Sequence, residues 1–407
     1  MMPNDSAVVL ITGAGRRIGA ALAADLHGRG YRVALHYQNS AAEAAALCAD
    51  FDADYTLACG GDTVEKRRPI YSIFIGGGTP SLFSARAFDT LLQHIASTQH
   101  AGWLESPELE ITLEANPGTL EAGRFAEFRA TGINRLSLGV QSFADAQLTR
   151  LGRIHDGAQA RRAIDSARAA GFDNFNLDLM HGLPEQSLKD ALADLESALS
   201  FEPPHLSWYQ LTIEPNTVFY SKPPPLPSES ILTSVQDAGH ALLAARDLEQ
   251  YEVSAYARSS SLQSRHNFNY WQFGDYLGIG AGAHGKISLT DGSQPLRTRK
   301  HRQPDHYLRA ALQPPVNGLI SRYTAEATPI PPDEIAIEYL LNTLRTRRGF
   351  SPAHFEARTG TAFSAIAKRV EYLRSQGLLC DTPFVNGWIT TTERGFRYLN
   401  NVLEEFI

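Results

Sequence analysis

From Tyr71 onward the chain alternates short apolar runs with helix-like stretches, and this alternation restricts the fold more than any other feature. Strand-like runs stand at Ser72–Ile75, Leu109–Leu113, Arg135–Val140, Asn174–Leu179, Leu206–Thr212 and Glu252–Tyr256. Between most of them lie stretches of helical character, at Ala85–Ala96, Arg124–Ala130, Ala158–Ala170 and Leu188–Leu199. Parallel neighbours cannot be joined by a tight turn, so an intervening helix marks a βαβ crossover. The fold class expected is α/β, a partial (β/α) barrel with its functional groups at the carboxyl ends of the strands. Glycine-rich and polar segments stand at those ends: Gly76-Gly77-Gly78-Thr79-Pro80, Glu114-Ala115-Asn116-Pro117, Gln141-Ser142-Phe143, and Asp178 through Pro184.

The first fifty residues follow another pattern. Ala7–Thr12 is an apolar, β-branched run leading into G-A-G-R-R-I-G, then an alanine-rich stretch to Gly30 and a second strand-like run at Tyr31–Tyr37. Gly13, Gly15 and Gly19 would let a pyrophosphate approach the backbone and a helix amino terminus. Arg16, Arg17 and Ser40 suit the extra phosphate of NADP. In T-G-A-G-R-R-I-G and H-Y-Q-N-S the segment resembles the start of pteridine reductases, members of the short-chain dehydrogenase family. That resemblance implies a Tyr-x-x-x-Lys pair, in which lysine lowers the tyrosine pKa for proton transfer. None of the 15 tyrosines has lysine four positions later. The alternative reading as an NADP-dependent reductase therefore lacks its own catalytic pair. A fragment with a structural or accidental role is the other reading of this segment.

The longer segment carries a resemblance of its own. I-F-I-G-G-G-T-P-S-L-F, E-I-T-L-E-A-N-P-G-T, G-I-N-R-L-S-L-G-V-Q-S-F, R-L-G-R-I-H and N-L-D-L-M-H-G-L-P-E-Q-S follow one another in order. P-P-H-L-S-W-Y-Q-L-T-I-E-P-N-T, H-N-F-N-Y-W and D-Y-L-G-I-G-A-G-A-H-G continue the series. Over about residues 70–407 the chain resembles the haem-chaperone (HemW) branch of the oxygen-independent coproporphyrinogen III oxidase-like radical S-adenosylmethionine family. The resemblance implies a place in porphyrin metabolism, with haem and S-adenosylmethionine as ligands and a haem-acceptor protein as partner.

It also implies a site. Gly76, Gly77, Gly78 and Thr79 would meet the amino acid moiety of S-adenosylmethionine, where missing side chains expose backbone amides; a tight strand-to-helix turn is the structural alternative. Glu114, Gln141, Arg153 and Asp178 are implied in the same pocket, and an arginine fork suits a carboxylate. A pairing of Arg153 with Asp178 to hold neighbouring loops is the alternative there. His266, in H-N-F-N-Y-W, matches a string the family associates with haem. Imidazole is a natural axial ligand, and Tyr270 and Trp271 could stack on a porphyrin face. A hydrogen-bonded structural histidine is the alternative. His284, in G-A-G-A-H-G, is a lesser candidate that reads rather as a turn residue, and His155 and His181 receive no chemistry.

One implied feature is missing. The family runs its first barrel strand into Cys-x-x-x-Cys-x-x-Cys, whose thiolates hold a [4Fe–4S] cluster. This chain has three cysteines, Cys48, Cys59 and Cys380, without that spacing, so radical chemistry is expected to be absent. Cys48, on an alanine-rich stretch, is expected as a buried free thiol. Val8–Thr12 precedes Gly76 by a distance like that of the family's first strand. It is therefore expected as a replacement edge strand beside Ser72–Ile75, with Gly13–Gly19 in place of the cysteine loop.

The domains expected are a short-chain-dehydrogenase-like βαβ fragment at 1–52, the barrel at 53–302 and a carboxyl-terminal helical domain at 303–407. Pro223–Pro227 is a rigid excursion within the barrel. Helices are expected at Pro331–Thr346, Pro352–Thr359 and Thr361–Gln376, with a hairpin-like turn at Val385–Trp388 and a last helix from Thr392. That order is winged-helix-like, yet Arg369 and Arg374 are scattered among acids. With a net charge of −7 and a pI near 6.0, no nucleic-acid partner is expected. No apolar run approaches the ~20 residues of a membrane helix, and the opening M-M-P-N-D-S lacks a basic stretch. A cytoplasmic location is the expectation, and a non-functional gene fusion is a further alternative.

Overall fold

The computed structural model describes residues 8–12, 32–36, 40–61, 68–77, 79–118, 122–215, 217–289, 292, 294–312, 321–380 and 387–407. Its centre is a seven-stranded sheet. Strands β3 (Ser72–Ile75), β4 (Glu110–Ala115), β5 (Arg135–Gln141), β6 (Phe175–His181) and β7 (His205–Gln210) run parallel, each paired with the next. The order is β3-β4-β5-β6-β7-β9-β8, where β8 (Glu249–Glu252) and β9 (Ala255–Ala257) form an antiparallel hairpin. The single strand expected at Glu252–Tyr256 is thus two. Ser254 donates from its backbone and hydroxyl to Glu252 Oε1 at 2.9 and 3.1 Å, which closes the turn.

Strand periodicity decides what each face carries. Ile111, Leu113 and Ala115, with Leu136, Leu138, Leu177 and Leu179, are buried in the main apolar core. Helices α1 (Ser40–Cys59), α2 (Ala85–Ser97), α3 (Phe125–Ala130), α4 (Gly157–Ala169), α5 (Leu188–Leu199) and α6 (Glu229–Ala244) contribute to that core. Each such Leu stabilises the fold by roughly 1.5–3 kcal/mol. Helix starts are fixed locally: Ser84 caps α2, and Asp156 with Gln159 and Ser187 with Asp190 form capping boxes on α4 and α5. The alternate residues, Glu110, Thr112 and Glu114, Arg135 and Ser137, Asn176 and Asp178, Ser207 and Tyr209, share the other face.

The two sheet edges differ. At β8, Glu252 bridges to Thr346, and Arg347 N donates to Tyr251 O at 3.0 Å, so the carboxyl-terminal unit closes that side. At the opposite edge, β3 has β4 as its one strand neighbour among the described residues. Strand β1 (Val8–Thr12) does not fill that edge. It pairs in parallel with β2 (Arg32–His36), from Val8↔Arg32 to Thr12↔His36, in a sheet of two. The replacement-strand expectation is overturned. A partner some twenty residues away closes a shorter loop than one some sixty away, at lower entropic cost. Gly13, Gly15, Gly19, Arg16 and Arg17 lie outside the described residues.

Helix α1 runs unbroken across the 52–53 boundary expected from the sequence and buries Phe51, Tyr55, Cys48 and Cys59. Its Asp50 and Asp54 grip Lys300 at 2.6 and 2.7 Å, and the lysine side chain is fully buried. Tyr307 and Ser321 donate to Asp50 at 2.7 and 3.1 Å. Burial lifts the Asp54 carboxyl to about 6 against the pull of Lys300. Lys300 ends β11 (Leu296–Lys300), the middle of an antiparallel sheet with β10 (His284–Ile287) and β12 (Thr324–Pro329). His284 therefore opens a strand, opposite Arg299, rather than sitting in a turn.

Beyond this sheet, helices α8 (Pro332–Thr343), α9 (Pro352–Thr359) and α10 (Ser364–Ser375) build a second core around Tyr339, Phe350, Phe355 and Leu373. Bridges Leu379↔Thr391 and Phe350↔Ile389 give the hairpin-like pairing; Val385 and Asn386, its expected turn, lie outside the described residues. Lys300→Met would leave two buried carboxylates unpaired. It should cost about 3–5 kcal/mol, read from urea unfolding midpoints.

Candidate functional site

The polar face of the sheet has no apolar layer of its own to hide in, so its side chains satisfy one another. At the amino-terminal half of the strands, Asn176 donates to Ser137 Oγ at 2.9 Å and to Asp178 Oδ1 at 2.8 Å. Ser137 donates to Asp178 Oδ2 at 3.1 Å, and Ser207 donates to Asn176 Oδ1 at 3.0 Å. His205 bridges Asn176 Oδ1 and the Tyr251 hydroxyl at 2.7 and 2.8 Å. Burial drives the Asp178 carboxyl up and the His205 imidazole well down.

The family-implied residues stand beside this network, toward the carboxyl-terminal ends of the strands. Gly77 N donates to Glu114 Oε2 at 3.0 Å. A Cβ on Gly76 would stand 2.7 Å from the Phe74 ring and 2.9 Å from the Glu114 carboxyl, and Gly77 has φ +82°, so both positions require glycine. Gly78 lies outside the described residues; Thr79, half-buried, leads into the turn Pro80–Leu82. Burial raises the Glu114 pKa, and Asp178 raises it further. Gln141 is buried with φ +69°, a strained conformation for a residue with a side chain, where the β5–β6 register shifts. Its Oε1 accepts from the Tyr209 hydroxyl at 2.6 Å, while burial and the Asp178 charge push the Tyr209 pKa up.

Glu114, Gln141 and Asp178 thus surround Tyr209, with the glycine turn on Glu114. Arg153 stands exposed at the rim and acts on Tyr209 through its charge; it makes no ion pair with Asp178 within 4 Å, so the loop-pairing alternative fails. His155 is spent on Val140 O at 3.1 Å. His181 points to the helix-covered face, 4.3 Å from Trp208, where burial lowers its pKa to about 4.

His266 adjoins the glycine turn through one shared wall. It lies on α7 (Arg265–Trp271), and its ring stacks on Phe74 at 4.6 Å and meets Tyr270 edge-on at 4.7 Å. Neither ring nitrogen forms a hydrogen bond with a described residue. Burial, then the Arg135 charge, lowers its pKa to about 4, so the imidazole is neutral at physiological pH. Trp271 instead lies under the Arg345 guanidinium at 4.6 Å, against the carboxyl-terminal unit. Sequence reasoning gave no role to Phe74 or Tyr209, although both lie within motif strings, I-F-I-G-G-G-T-P-S-L-F and P-P-H-L-S-W-Y-Q-L-T-I-E-P-N-T.

A model of the Radical SAM superfamily matches residues 62–198, and one of the HemN C-terminal domain matches residues 330–397. The heme chaperone HemW of Escherichia coli (strain K12) is 45% identical over 361 residues, covering 89% of this chain and 88% of that protein. The chain belongs to the HemW family. Heme chaperone HemW of Haemophilus influenzae is 43% identical over 346 residues, 85% of each chain. The mitochondrial radical S-adenosyl methionine domain-containing protein 1 of Bos taurus is 35% identical over 324 residues, 77% of this chain and 70% of that one. In fold, the coproporphyrinogen III oxidase HemN of Escherichia coli matches with a TM-score of 0.67 over 92% of this chain and 85% of that one, at 19% identity. The half-barrel sheet of this HemW-family chain is that of the radical SAM fold, and its carboxyl-terminal unit is a HemN C-terminal domain.

No helix among the described residues is long and apolar enough to cross a membrane. Gly76→Ala should force the Phe74 ring aside and cost about 1–3 kcal/mol of stability, read by chemical denaturation. The same variant should weaken the Phe74–His266 stack, which near-ultraviolet circular dichroism would report.

Proposed function

We propose that this chain binds haem and passes it to an acceptor protein, with His266 as the axial ligand. One observation carries the reading: a half-buried, neutral imidazole, held on one face by Phe74 and on its edge by Tyr270, whose ring nitrogens are bonded to no described residue. Haem iron takes such a nitrogen as an axial ligand. The names of the relatives, heme chaperone HemW, support the same reading. Phe74 and Tyr270 orient the ring and leave it partly open for a ligand.

S-adenosylmethionine is proposed at the glycine turn. A Cβ on Gly76 would meet Phe74 and Glu114, so the turn leaves its backbone open there; Gly78, Thr79, Gln141, Arg153 and Asp178 are proposed with it as the ligand's contacts. Glu114 and Asp178 suit an ammonium and ribose hydroxyls; Arg153, exposed at the rim, suits a carboxylate.

The [4Fe–4S] cluster that the family implies is not supported by the donors present. Cys48 and Cys59 are buried eleven residues apart on one helix, about 16 Å along its axis. Cys380 stands in the carboxyl-terminal unit, and the described residues hold no group of three potential metal ligands. Radical cleavage of S-adenosylmethionine is therefore proposed absent. The pteridine-reductase likeness of the first fifty residues has no part in this reading. A cytoplasmic location fits it.

Titration with ferric haem should give a shifted Soret band that His266→Ala abolishes, and an unchanged titration of that variant rejects the assignment. Coordination needs the unprotonated ring, so affinity should stay level from pH 8 to pH 5 and fall as pH approaches about 4. In anaerobically reconstituted protein, iron should remain near background. About four irons per chain with cleavage of S-adenosylmethionine would overturn the proposed loss of radical chemistry.

A further inference from the structure

The helix that carries His266 begins in an unusually complete grip. Its own cap, Ser264, is fully buried and accepts from Asn267 N at 3.3 Å, while Ser264 N donates to the Tyr251 hydroxyl at 3.3 Å. The two amides between come to a residue of another element. Arg265 N donates to Glu110 Oε2 at 3.1 Å and His266 N donates to Glu110 Oε1 at 3.2 Å, so each oxygen of one carboxylate holds one backbone amide. Glu110, at the start of β4, is 5% exposed. Arg135, at the start of β5, is 2% exposed, and its Nε stands 3.9 Å from Glu110 Oε2. The guanidinium continues to Thr112 Oγ1 at 3.5 Å. The Arg265 side chain adds a further hold on Glu108, at its carbonyl and carboxylate, 2.7 and 2.8 Å away.

Ser264 alone would cap so short a helix. A buried charged pair is an expensive addition, because two ions must leave water and their mutual attraction does not repay that by itself. Its effect here is positional. It fixes the backbone at His266 and the residue before it, and Phe74 fixes the ring, so the imidazole retains little freedom. We propose that Glu110, backed by Arg135, is a positioning residue for His266 as a haem ligand. The proposal rests on the haem reading above. A carboxylate is required because both oxygens must accept; glutamine has one acceptor and would release one amide, and aspartate is a methylene short of both.

The test uses the full chain and ferric haem. The variants are Glu110→Gln, the doubly neutral Glu110→Gln/Arg135→Met, Ser264→Ala and His266→Ala. Neutralising both partners leaves no unpaired buried charge, so the double variant stays folded where the single one fails. Loss of such a supporting contact weakens metal ligation roughly ten- to hundredfold. The expected result is that loss in haem affinity for the folded Glu110 variants, with a Soret band moved toward that of His266→Ala. Ser264→Ala, a plain loss of cap, should lower the melting midpoint and leave the spectrum as in the parent chain.

A folded double variant with the parent spectrum and affinity overturns the proposal while the haem reading stands. So does Ser264→Ala reproducing the spectral change, because helix stability alone would then explain it. A parent-like spectrum for His266→Ala refutes the haem reading itself, and with it this proposal.

Discussion

Five parallel strands must satisfy the polar side chains of their inner face largely without bulk water, and the organisation of the site follows from that constraint. The helical face is solved by size: Leu136, Leu138, Leu177 and Leu179 meet apolar helix faces. The inner face is solved by pairing. Asp178, Asn176, Ser137, Ser207, His205 and Tyr251 form one continuous chain of hydrogen bonds, ending at the backbone of Ser264. The same bonds that make the sheet's interior tolerable therefore tie Asp178 and its neighbours to the first turn of the His266 helix. Half-satisfied polar interiors are the costly ones, and within this chain of residues each side chain is engaged.

Much of this was legible in the chain. The parallel strands from Ser72 to Gln210 and helices such as Leu188–Leu199 fall within a residue or two of their sequence patterns, because burial on one stripe or one face leaves a period. The motif residues Glu114, Gln141 and Asp178 converge because strand ends of a parallel sheet lie side by side. What escaped notice depends on partners distant in sequence. The sheet of β10, β11 and β12 is made of short strands rich in charge, and Lys300 is apolar-facing only because Asp50 and Asp54 receive it. The Glu252–Tyr256 run looked continuous, and only the Glu252 carboxylate folding back onto Ser254 divides it.

The position of β1 shows the limit of arguing from spacing. Distance along the chain placed it beside β3, yet backbone groups take the partner that costs least loop entropy, and β2 was nearer. The consequence for chemistry is a separation of roles. The bonds named for the glycine turn, the Gln141–Tyr209 pair and the His266 helix lie within the sheet and its loops, and among the described residues none of them reaches a residue before Ser72. Phe74 is the wall common to both parts, packed against the Gly76 turn on one side and the His266 ring on the other.

The Lys300 cluster carries a consequence for how the polypeptide is made. Asp50 and the lysine that neutralises it are 250 positions apart. At ribosomal speeds of about 5–20 residues per second, that interval lasts roughly ten seconds or more. Throughout it, the acidic stripe of α1 is hydrated and cannot be sealed inside. The amino-terminal helix must wait, loosely docked, for the nascent strand that bears its counter-ion, so final closure of the body is a late event in synthesis.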